Sequence, residues 1–262
     1  MDLNLNEEQQ LLQESLRGFA QGEILPDAAE IDHKGVFPQS HIDKMAEMGL
    51  MGMFIPSHYD GAGMGVLEYV IALEEIAAAC GSCAVIMSVN NSLVSDPLLR
   101  FGTEQQKQRW LPGIATGSFT GCFALSEPGT GSDAAAQETQ AKRVGDGWTI
   151  NGAKNWITNG AQADVCIVFA MGDRSKGVRG INAYLVPTDT PGFIVAKNEE
   201  KLGIKASSTS QITLDDIRLP ADALLGEVGK GFKVAMSTLD GGRIGIAAQA
   251  IGIARQAFEE AR

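Results

Sequence analysis

The feature that most constrains the fold of this 262-residue chain is a double change in its hydrophobic period. Up to about residue 118, apolar residues recur at helical spacing, as between Leu12 and Phe19. Short runs rich in Val, Ile, Thr and aromatic residues then alternate with turn residues, a pattern typical of β-strands. The last segment is helical again. We therefore predict a helical domain (1–118), a β domain (119–228) and the first helix of another helical domain (229–262), an α+β multi-domain protein.

Capping and turn residues delimit elements within these segments. Asn6 is predicted to cap the first helix, and Thr103 with Gln106 has the spacing of a capping box. Gly145–Gly147 and Asn151–Gly152 are predicted to be hairpin turns. Many short strands at this spacing predict a barrel or paired antiparallel sheets. The predicted strands are 121–125, 139–144, 148–150, 154–158, 165–170, 181–186 and 211–214.

Charge and hydropathy exclude several classes of partner. The net charge of −11 argues against nucleic acid or an anionic membrane surface as the main partner. It leaves room for an anionic cofactor, because a local group of backbone N–H donors can hold a phosphate in an acidic protein. No apolar run approaches the ~20 residues of a membrane span. The first ten residues lack the basic and apolar regions of a signal peptide, so we expect a protein that is not exported.

The cysteines are interpreted as packing thiols. Cys80 and Cys83 form one C-x-x-C, whereas Cys122 and Cys166 are isolated in the sequence. A zinc site would need a second pair or suitably spaced histidines, so no metal site is predicted. A redox C-x-x-C would be expected between a strand and a helix, but this one follows the helical run 66–79. Unpaired thiols fit a reducing compartment.

The first candidate binding motif is the run from Phe123 to Asp133, with the sequence FALSEPGTGSD. A predicted strand enters a loop in which Gly129 and Gly131 would let the backbone approach a ligand closely. Freed N–H groups there can hold phosphate oxygens, and Ser126 lies at the end of the strand. An ordinary β-turn with Asx and Ser caps would have the same local pattern.

The second motif is Trp156-Ile157-Thr158. Alternate residues of a strand share one face, so Trp156 and Thr158 are predicted to point together and Ile157 to point away. An indole beside a hydroxyl would suit a planar heterocycle that needs one hydrogen bond. The alternative is an exposed aromatic and Thr stripe on a barrel.

The third motif is Asp240-Gly241-Gly242-Arg243, early in the last helix. Helical glycines cost about 1 kcal/mol each relative to Ala. A helix tends to carry them where something approaches its backbone. Asp240 and Arg243 share a face at this spacing, and a surface ion pair is the alternative reading.

Together these motifs resemble the acyl-CoA dehydrogenase family. Residues 123–133 resemble its first signature, and 154–160 are similar to its flavin-stacking strand. Residues 85–92 and 239–246 resemble the short-chain members. The resemblance implies an N-terminal helical domain, a central β-barrel-like domain and a C-terminal four-helix bundle, most of which would be absent here. It also implies FAD as cofactor, a short-chain acyl-CoA as substrate, electron-transferring flavoprotein as electron acceptor, and a homotetramer.

The resemblance also implies roles for individual residues. Ser126 would bond the pyrimidine end of the flavin, Trp156 would flank the isoalloxazine and Thr158 would bond near N5. Phe123 stands where related enzymes can have Tyr, so a hydroxyl contact would be lost. The positions implied to bind the cofactor are Phe123, Ala124, Leu125, Ser126, Gly129, Thr130, Gly131, Ser132, Trp156, Ile157 and Thr158. The positions implied to contact substrate are Ser132, Asp240, Gly241, Gly242 and Arg243.

The implied reaction converts a butyryl-CoA-like thioester to its trans-2-enoyl form. A carboxylate removes an α-proton while the β-hydride passes to the flavin, and the base must work near neutral pH, which favours a desolvated Glu. Some relatives carry the base at the position of Gly242, which cannot serve. Short-chain members carry it late in the bundle, beyond Arg262, so no catalytic residue is assigned to this chain. Glu127 is expected to lie in the flavin loop and to point away from Ser126.

Two alternatives remain at this point. The chain could act on a branched or carrier-bound thioester, or it could be a non-catalytic flavin- or CoA-binding module if Arg262 is a natural terminus. The bacterial cytoplasm is the expected location, and a processed protein of the mitochondrial matrix would have the same appearance.

Overall fold

Side-chain caps define the starts of two N-terminal helices. The computed structural model describes residues 4–262. The Asn6 side chain accepts from the Gln9 N–H at 2.8 Å, and Thr103 accepts from Gln106, so both predicted caps are confirmed. The helices are α1 (Glu7–Phe19), α2 (Leu25–Lys34), α3 (Gln39–Glu47), α4 (Val66–Ala79), α5 (Gly81–Ser88), α6 (Asp96–Phe101), α7 (Glu104–Ala115) and α8 (Gly231–Ala261).

A wide π-helical turn, Val89–Ser95, joins α5 to α6 and ties the helices to the β domain. Asn90 and Asn91 on this turn are fully buried. The Asn90 carboxamide oxygen accepts from the N–H of Gly121 at 2.9 Å, at the first residue of the sheet. The Asn91 oxygen accepts from the N–H of Met53 at 2.7 Å. Buried amides must find such partners, so these bonds fix where the chain enters the sheet.

The β domain is one mixed sheet of eight strands. The strands are β1 (Gly121–Ala124), β2 (Gln140–Val144), β3 (Gly147–Thr158), β4 (Val165–Met171), β5 (Ile181–Pro187), β6 (Phe193–Asn198), β7 (Thr209–Leu219) and β8 (Leu224–Leu225). Their order in the sheet is β6-β7-β3-β2-β4-β5-β8, and β1 lies outside this path, parallel to β4. The predicted fold class is confirmed, but the strands are not all antiparallel, since β2 also pairs with β4 in parallel.

One predicted turn is wrong and one is confirmed. Gly145 has φ 58°, and the chain reverses there between β2 and β3. Asn151–Gly152 is not a turn, because β3 runs through it with a shift of register against β7. The Asn151 side chain accepts from the N–H of Asp216 at 2.9 Å, and a Cβ at Gly152 would lie 2.4 Å from the Thr139 hydroxyl. The Asn-Gly pair therefore lies within β3, opposite a bulge in which Asp215 and Asp216 of β7 face the single residue Asn151.

Strand β4 is buried on both faces. Ile167 and Phe169 belong to the core between the sheet and the helical domain. Cys166 and Val168 belong to a second core on the other face. The continuous apolar run of β4 follows from this position, because alternate residues of one strand fill two different cores.

Helix α8 begins on the sheet and then packs along α4. A Cβ at Gly245 would lie 2.4 Å from the Tyr69 hydroxyl, and one at Gly252 would lie 2.3 Å from the Glu74 carbonyl oxygen. Beyond them, Arg255 donates to the buried carboxylate of Glu75 at 2.7 Å. Glycines thus allow the close approach of two helices. The first turns of α8 contact β4 and β5. Among residues 4–262, no helix combines the length and apolar character of a membrane span.

Candidate functional site

An open cleft of about 450 Å³ lies where the loop after β1, the end of β3 and the first turns of α8 meet. Its size falls in the range of small-molecule sites, about 300–1,000 Å³. The residues that border it are Phe123, Leu125, Ser126, Gly131, Ser132, Asp133, Ala134, Ala135, Trp156, Ile157, Phe232, Met236, Leu239 and Arg243.

The loop after β1 is folded by its own backbone. Glu127 and Thr130 exchange two N–H to carbonyl bonds of 2.9 and 3.1 Å, which closes a tight turn. The Ser126 carbonyl accepts from the N–H of Asn155 at 3.0 Å, which attaches the loop to β3. A Cβ built at Gly129 or Gly131 would meet nothing within 4 Å. Packing within the chain therefore does not require these glycines, and the space beside them is open to a ligand.

A buried ion pair holds the same loop from beneath. The Lys154 ammonium donates to the Glu127 carboxylate at 2.7 Å, and both side chains are almost fully buried. The other hydrogen bonds of Glu127 come from the N–H groups of Glu138 at 2.6 Å and Thr139 at 3.1 Å. Lys154 also donates to the Leu125 carbonyl at 3.2 Å. The Glu127 side chain thus points into the protein, and the pair joins both ends of the loop to β3.

The pKa values of the two groups reflect this burial. Burial lowers the pKa of Lys154 to about 8, and the attraction of Glu127 opposes that shift only in part. Burial acts to raise the pKa of Glu127, but the charge and hydrogen bond of Lys154 outweigh it, so the net shift is downward. The carboxylate is therefore ionised and committed to Lys154.

Trp156 owes its position to a β-bulge. Lys154 pairs with Ile212 and Ile157 with Ser210, so two residues of β3 lie opposite one residue of β7. Trp156 has φ 59°, in the left-handed region, and 57% of its surface is exposed at the cleft. Bulges of this kind redirect side chains near functional sites. The regular alternation assumed from sequence is wrong here, because Trp156 and Ile157 both border the cleft.

Helix α8 supplies an apolar wall that the sequence analysis missed. Phe232, Met236 and Leu239 follow one another at helical spacing, and Arg243 continues the same stripe. The four side chains border the cleft opposite the loop after β1. Their i, i+4, i+7, i+11 spacing, which ends at the arginine of the Asp-Gly-Gly-Arg motif, is the sequence pattern from which this wall could have been predicted.

The structure brings most, but not all, of the predicted site residues to the cleft. Phe123, Leu125, Ser126, Gly131, Ser132, Trp156, Ile157 and Arg243 border it. Ala124 is fully buried and faces the second core of the sheet. The predicted positions that do not border it are Ala124, Gly129, Thr130, Thr158, Asp240, Gly241 and Gly242. Ligand contact by any of these residues stays a prediction.

The glycines of α8 differ in their surroundings. A Cβ at Gly242 would lie 2.9 Å from the Leu93 side chain, whereas one at Gly241 would meet nothing. Gly242 therefore packs against the π-helical turn and not against the cleft. Asp240 and Arg243 are both exposed and form an ion pair at 3.4 Å, as the alternative interpretation of this motif as a surface ion pair predicts.

The cleft fits a planar cofactor with phosphates. Trp156 presents an open aromatic face, and the space at Gly129 and Gly131 admits a bulky anion beside backbone N–H groups. The buried hydroxyl of Thr130 and carboxamide oxygen of Asn155 lack a hydrogen-bond partner among residues 4–262. Such orphaned polar atoms next to a cleft are suited to a ligand or water.

Comparison with known proteins agrees with this architecture. The N-terminal, middle and C-terminal domain models of acyl-CoA dehydrogenase match residues 6–118, 122–217 and 229–262. The mitochondrial short-chain specific acyl-CoA dehydrogenase of Mus musculus is 52% identical over 98% of this chain. Butyryl-CoA dehydrogenase from Megasphaera elsdenii has 43% identity and a TM-score of 0.96, over 100% of this chain and 69% of its own. A chain from a study of the electron transferring flavoprotein of Acidaminococcus fermentans has 45% identity and a TM-score of 0.95, over 98% of this chain and 68% of its own.

The order of helices, sheet and helix, with a cleft where the three segments meet, is shared with solved acyl-CoA dehydrogenase structures. The chain belongs to the acyl-CoA dehydrogenase family. The cofactor predicted from the sequence, FAD, is confirmed by this membership. The chain spans 62% of the length of the Mus musculus relative.

Proposed function

We propose that the protein to which this chain belongs uses FAD to dehydrogenate short-chain acyl-CoA, of the butyryl-CoA type, to trans-2-enoyl-CoA. The observation that carries the proposal is the cleft itself, in which the exposed ring of Trp156 and the apolar stripe of α8 form separate walls. Short-chain or butyryl specificity is part of the names of the Mus musculus and Megasphaera elsdenii proteins.

Each wall has a separate task in this proposal. Trp156 flanks the flavin ring, Ser126 and Thr158 offer it hydroxyl hydrogen bonds, and the 129–132 loop lies along its phosphates. When bound, FAD supplies the acceptor for the substrate hydride. Phe232, Met236 and Leu239 exclude water from the acyl chain, which strengthens every electrostatic interaction at the thioester. Arg243 gives the cleft mouth a positive charge that suits the phosphates of CoA.

We assign no proton-abstracting base among residues 4–262. Asp133 is the one carboxylate among the residues that border the cleft. It is exposed and accepts from the N–H of Ala135 at 3.3 Å, so it faces water and is held within its own loop. Glu127 is committed to Lys154, and Gly242 has no side chain.

Partners and location complete the proposal. We expect electrons to pass to an electron-transferring flavoprotein, in line with the study of Acidaminococcus fermentans that contains a related chain. We also expect a homotetramer. All four cysteines are free thiols, which supports a reducing compartment such as the bacterial cytoplasm, and the mitochondrial matrix is the alternative.

Anaerobic titration of the full-length, FAD-loaded protein tests the reaction. Butyryl-CoA should bleach the flavin absorbance, and isobutyryl-CoA should do so much less. Bleaching by the branched substrate alone would favour the branched-thioester alternative. Bound flavin that no thioester reduces would favour a non-catalytic binding module and overturn the proposal.

A matched pair of arginine variants tests the orientation of the substrate. Arg243→Met removes the charge at the cleft, whereas Arg218→Met removes an equally exposed arginine that pairs with Asp216 away from it. Arg243→Met should raise KM for butyryl-CoA but not for butyryl-pantetheine, which lacks the nucleotide. Equal effects of the two variants would contradict the placement of CoA at Arg243.

A further inference from the structure

The C-x-x-C pair lies at a break between two helices. Cys80 has φ −152° and ψ 110°, extended backbone between α4 and α5. Its carbonyl accepts from the N–H of Ala84 at 3.1 Å, so Cys80 is the N-cap of α5 and Cys83 is the third residue of that helix. These thiols follow the helical run 66–79, as predicted, and a second helix begins directly after Cys80.

The environment makes the two thiols unequal. A hydrogen bond from Cys83 lowers the pKa of Cys80 to about 7, the backbone N–H groups of Cys83 and Ser82 add to this, and burial opposes it. The pKa of Cys83 is raised, first by its hydrogen bond to Cys80 and then by burial. Asp32 of α2 is a nearby negative charge that opposes ionisation of Cys80. Cys80 is therefore the more acidic of the two thiols, and Cys83 is its neutral partner.

A surface cavity of about 310 Å³ reaches Cys80 and not Cys83. Gly81, Ile204 and Ile253 lie on its walls. Cys80 is 7% exposed, whereas Cys83 is 0% exposed. Cys80 is therefore the more accessible of the two cysteines. The thiols of Cys80 and Cys83 interact directly, so the two sulfur atoms are close enough for a disulfide to need little backbone movement.

We propose that Cys80 and Cys83 form a reversible oxidation site, at which a peroxide oxidises Cys80 and Cys83 closes a disulfide. The Cys80 thiolate attacks one oxygen of hydrogen peroxide, the O–O bond breaks, and hydroxide leaves as a sulfenic acid forms. The Cys83 sulfur then attacks the Cys80 sulfur, the S–O bond breaks, and the hydroxyl leaves with the Cys83 proton as water. Two thiols and one peroxide thus give one disulfide and two waters. A dithiol reverses the step by exchange.

The chain contains an internal control for this chemistry. Cys122 and Cys166 are paired across the parallel strands β1 and β4, and their thiols are also in hydrogen-bond contact. Both are 0% exposed, and burial raises the pKa of Cys122. The two thiols of this second pair are close to each other, but they are not accessible to an oxidant and neither is an N-cap residue. We therefore expect this pair to stay reduced.

Mass mapping of the full-length protein tests the proposal. The reduced protein is treated with hydrogen peroxide, denatured in a thiol-blocking reagent and digested. We expect the Cys80–Cys83 disulfide to form at least ten-fold faster than any oxidation of Cys122 or Cys166, and a dithiol to reverse it. Oxidation spread evenly over the four cysteines, or none at Cys80, would overturn the assignment.

Serine variants separate the two roles. Cys83→Ser should accumulate a sulfenic acid at Cys80 that dimedone labels, at least ten-fold above the wild-type level. Cys80→Ser should abolish both the label and the disulfide, and it should fold because serine is a favoured N-cap. If dimedone labels Cys83 in the Cys80→Ser protein as fast as the wild-type protein is oxidised, Cys80 is not the thiol that reacts first, and the proposed order of the two steps is contradicted.

Discussion

Replacement of Lys154 by methionine is the sharpest test of how the fold holds the cleft. Methionine fills a similar volume but donates no hydrogen bond. The Glu127 carboxylate would keep its bonds from the N–H groups of Glu138 and Thr139 and lose its cation. The Leu125 carbonyl would lose one donor as well. The variant would therefore leave a buried negative charge directly beneath the loop that borders the cleft.

The expected cost follows from the burial of both partners. Lys154 is 0% exposed and Glu127 is 2% exposed, so solvent screens their attraction weakly. Removal of one partner from a buried pair costs about 3–5 kcal/mol, much of it from the charge left behind. Protonation of Glu127 in the variant would remove the buried charge and lower that cost. The loss of stability should therefore be largest at pH values above the pKa that the carboxyl group acquires in the variant.

Urea unfolding and hydrogen exchange of the full-length protein measure the effect. We expect a lower unfolding midpoint and faster exchange at the N–H groups of Glu138 and Thr139. Lys34→Met is the matched control, because Lys34 pairs with Glu30 on the exposed face of α2. It should leave both measurements unchanged. If Lys154→Met behaves like Lys34→Met, the ion pair does not hold the loop, and the reasoning fails.

Three further predictions follow from named positions. The pKa of Lys154 is lowered by folding from 10.5 to about 8. At a pH between these two values, the unfolded chain keeps a proton on Lys154 that the folded chain has released. Wild-type stability relative to Lys154→Met should therefore rise from pH 8 to pH 10, by up to about 3 kcal/mol in urea titrations, and a decrease would contradict the pKa shift. Trp156→Gly should keep the thermal stability of the flavin-free protein, since glycine adopts the left-handed conformation freely, but the purified protein should retain less FAD by absorbance. Gly252→Ala should destabilise by about 1–3 kcal/mol because its Cβ would strike the α4 backbone, whereas Gly241→Ala should stabilise by up to about 1 kcal/mol in the same urea assay.

Much of the site could be predicted because its signals are local. The loop from Phe123 to Asp133 needs only a strand end, glycines and hydroxyls in series, and most of it does border the cleft. Phe232 and Met236 were missed because an apolar residue on a helix has the same pattern whether it faces a core or a ligand. The partner of Glu127 was not predictable from spacing, since Lys154 is 27 residues away and meets it only through the sheet.

The sequence by itself determined the order of the helical, β and helical segments, the caps at Asn6 and Thr103, and the family of the chain. These depend on neighbours within a few residues, so local periodicity and capping chemistry suffice. Only the tertiary structure decided that β1 runs parallel to β4, that Asn151–Gly152 lies within β3 opposite a bulge of β7, and that Trp156 turns toward the cleft. Strand pairing is non-local, and a register shift moves side chains to another face, so no local pattern specifies it.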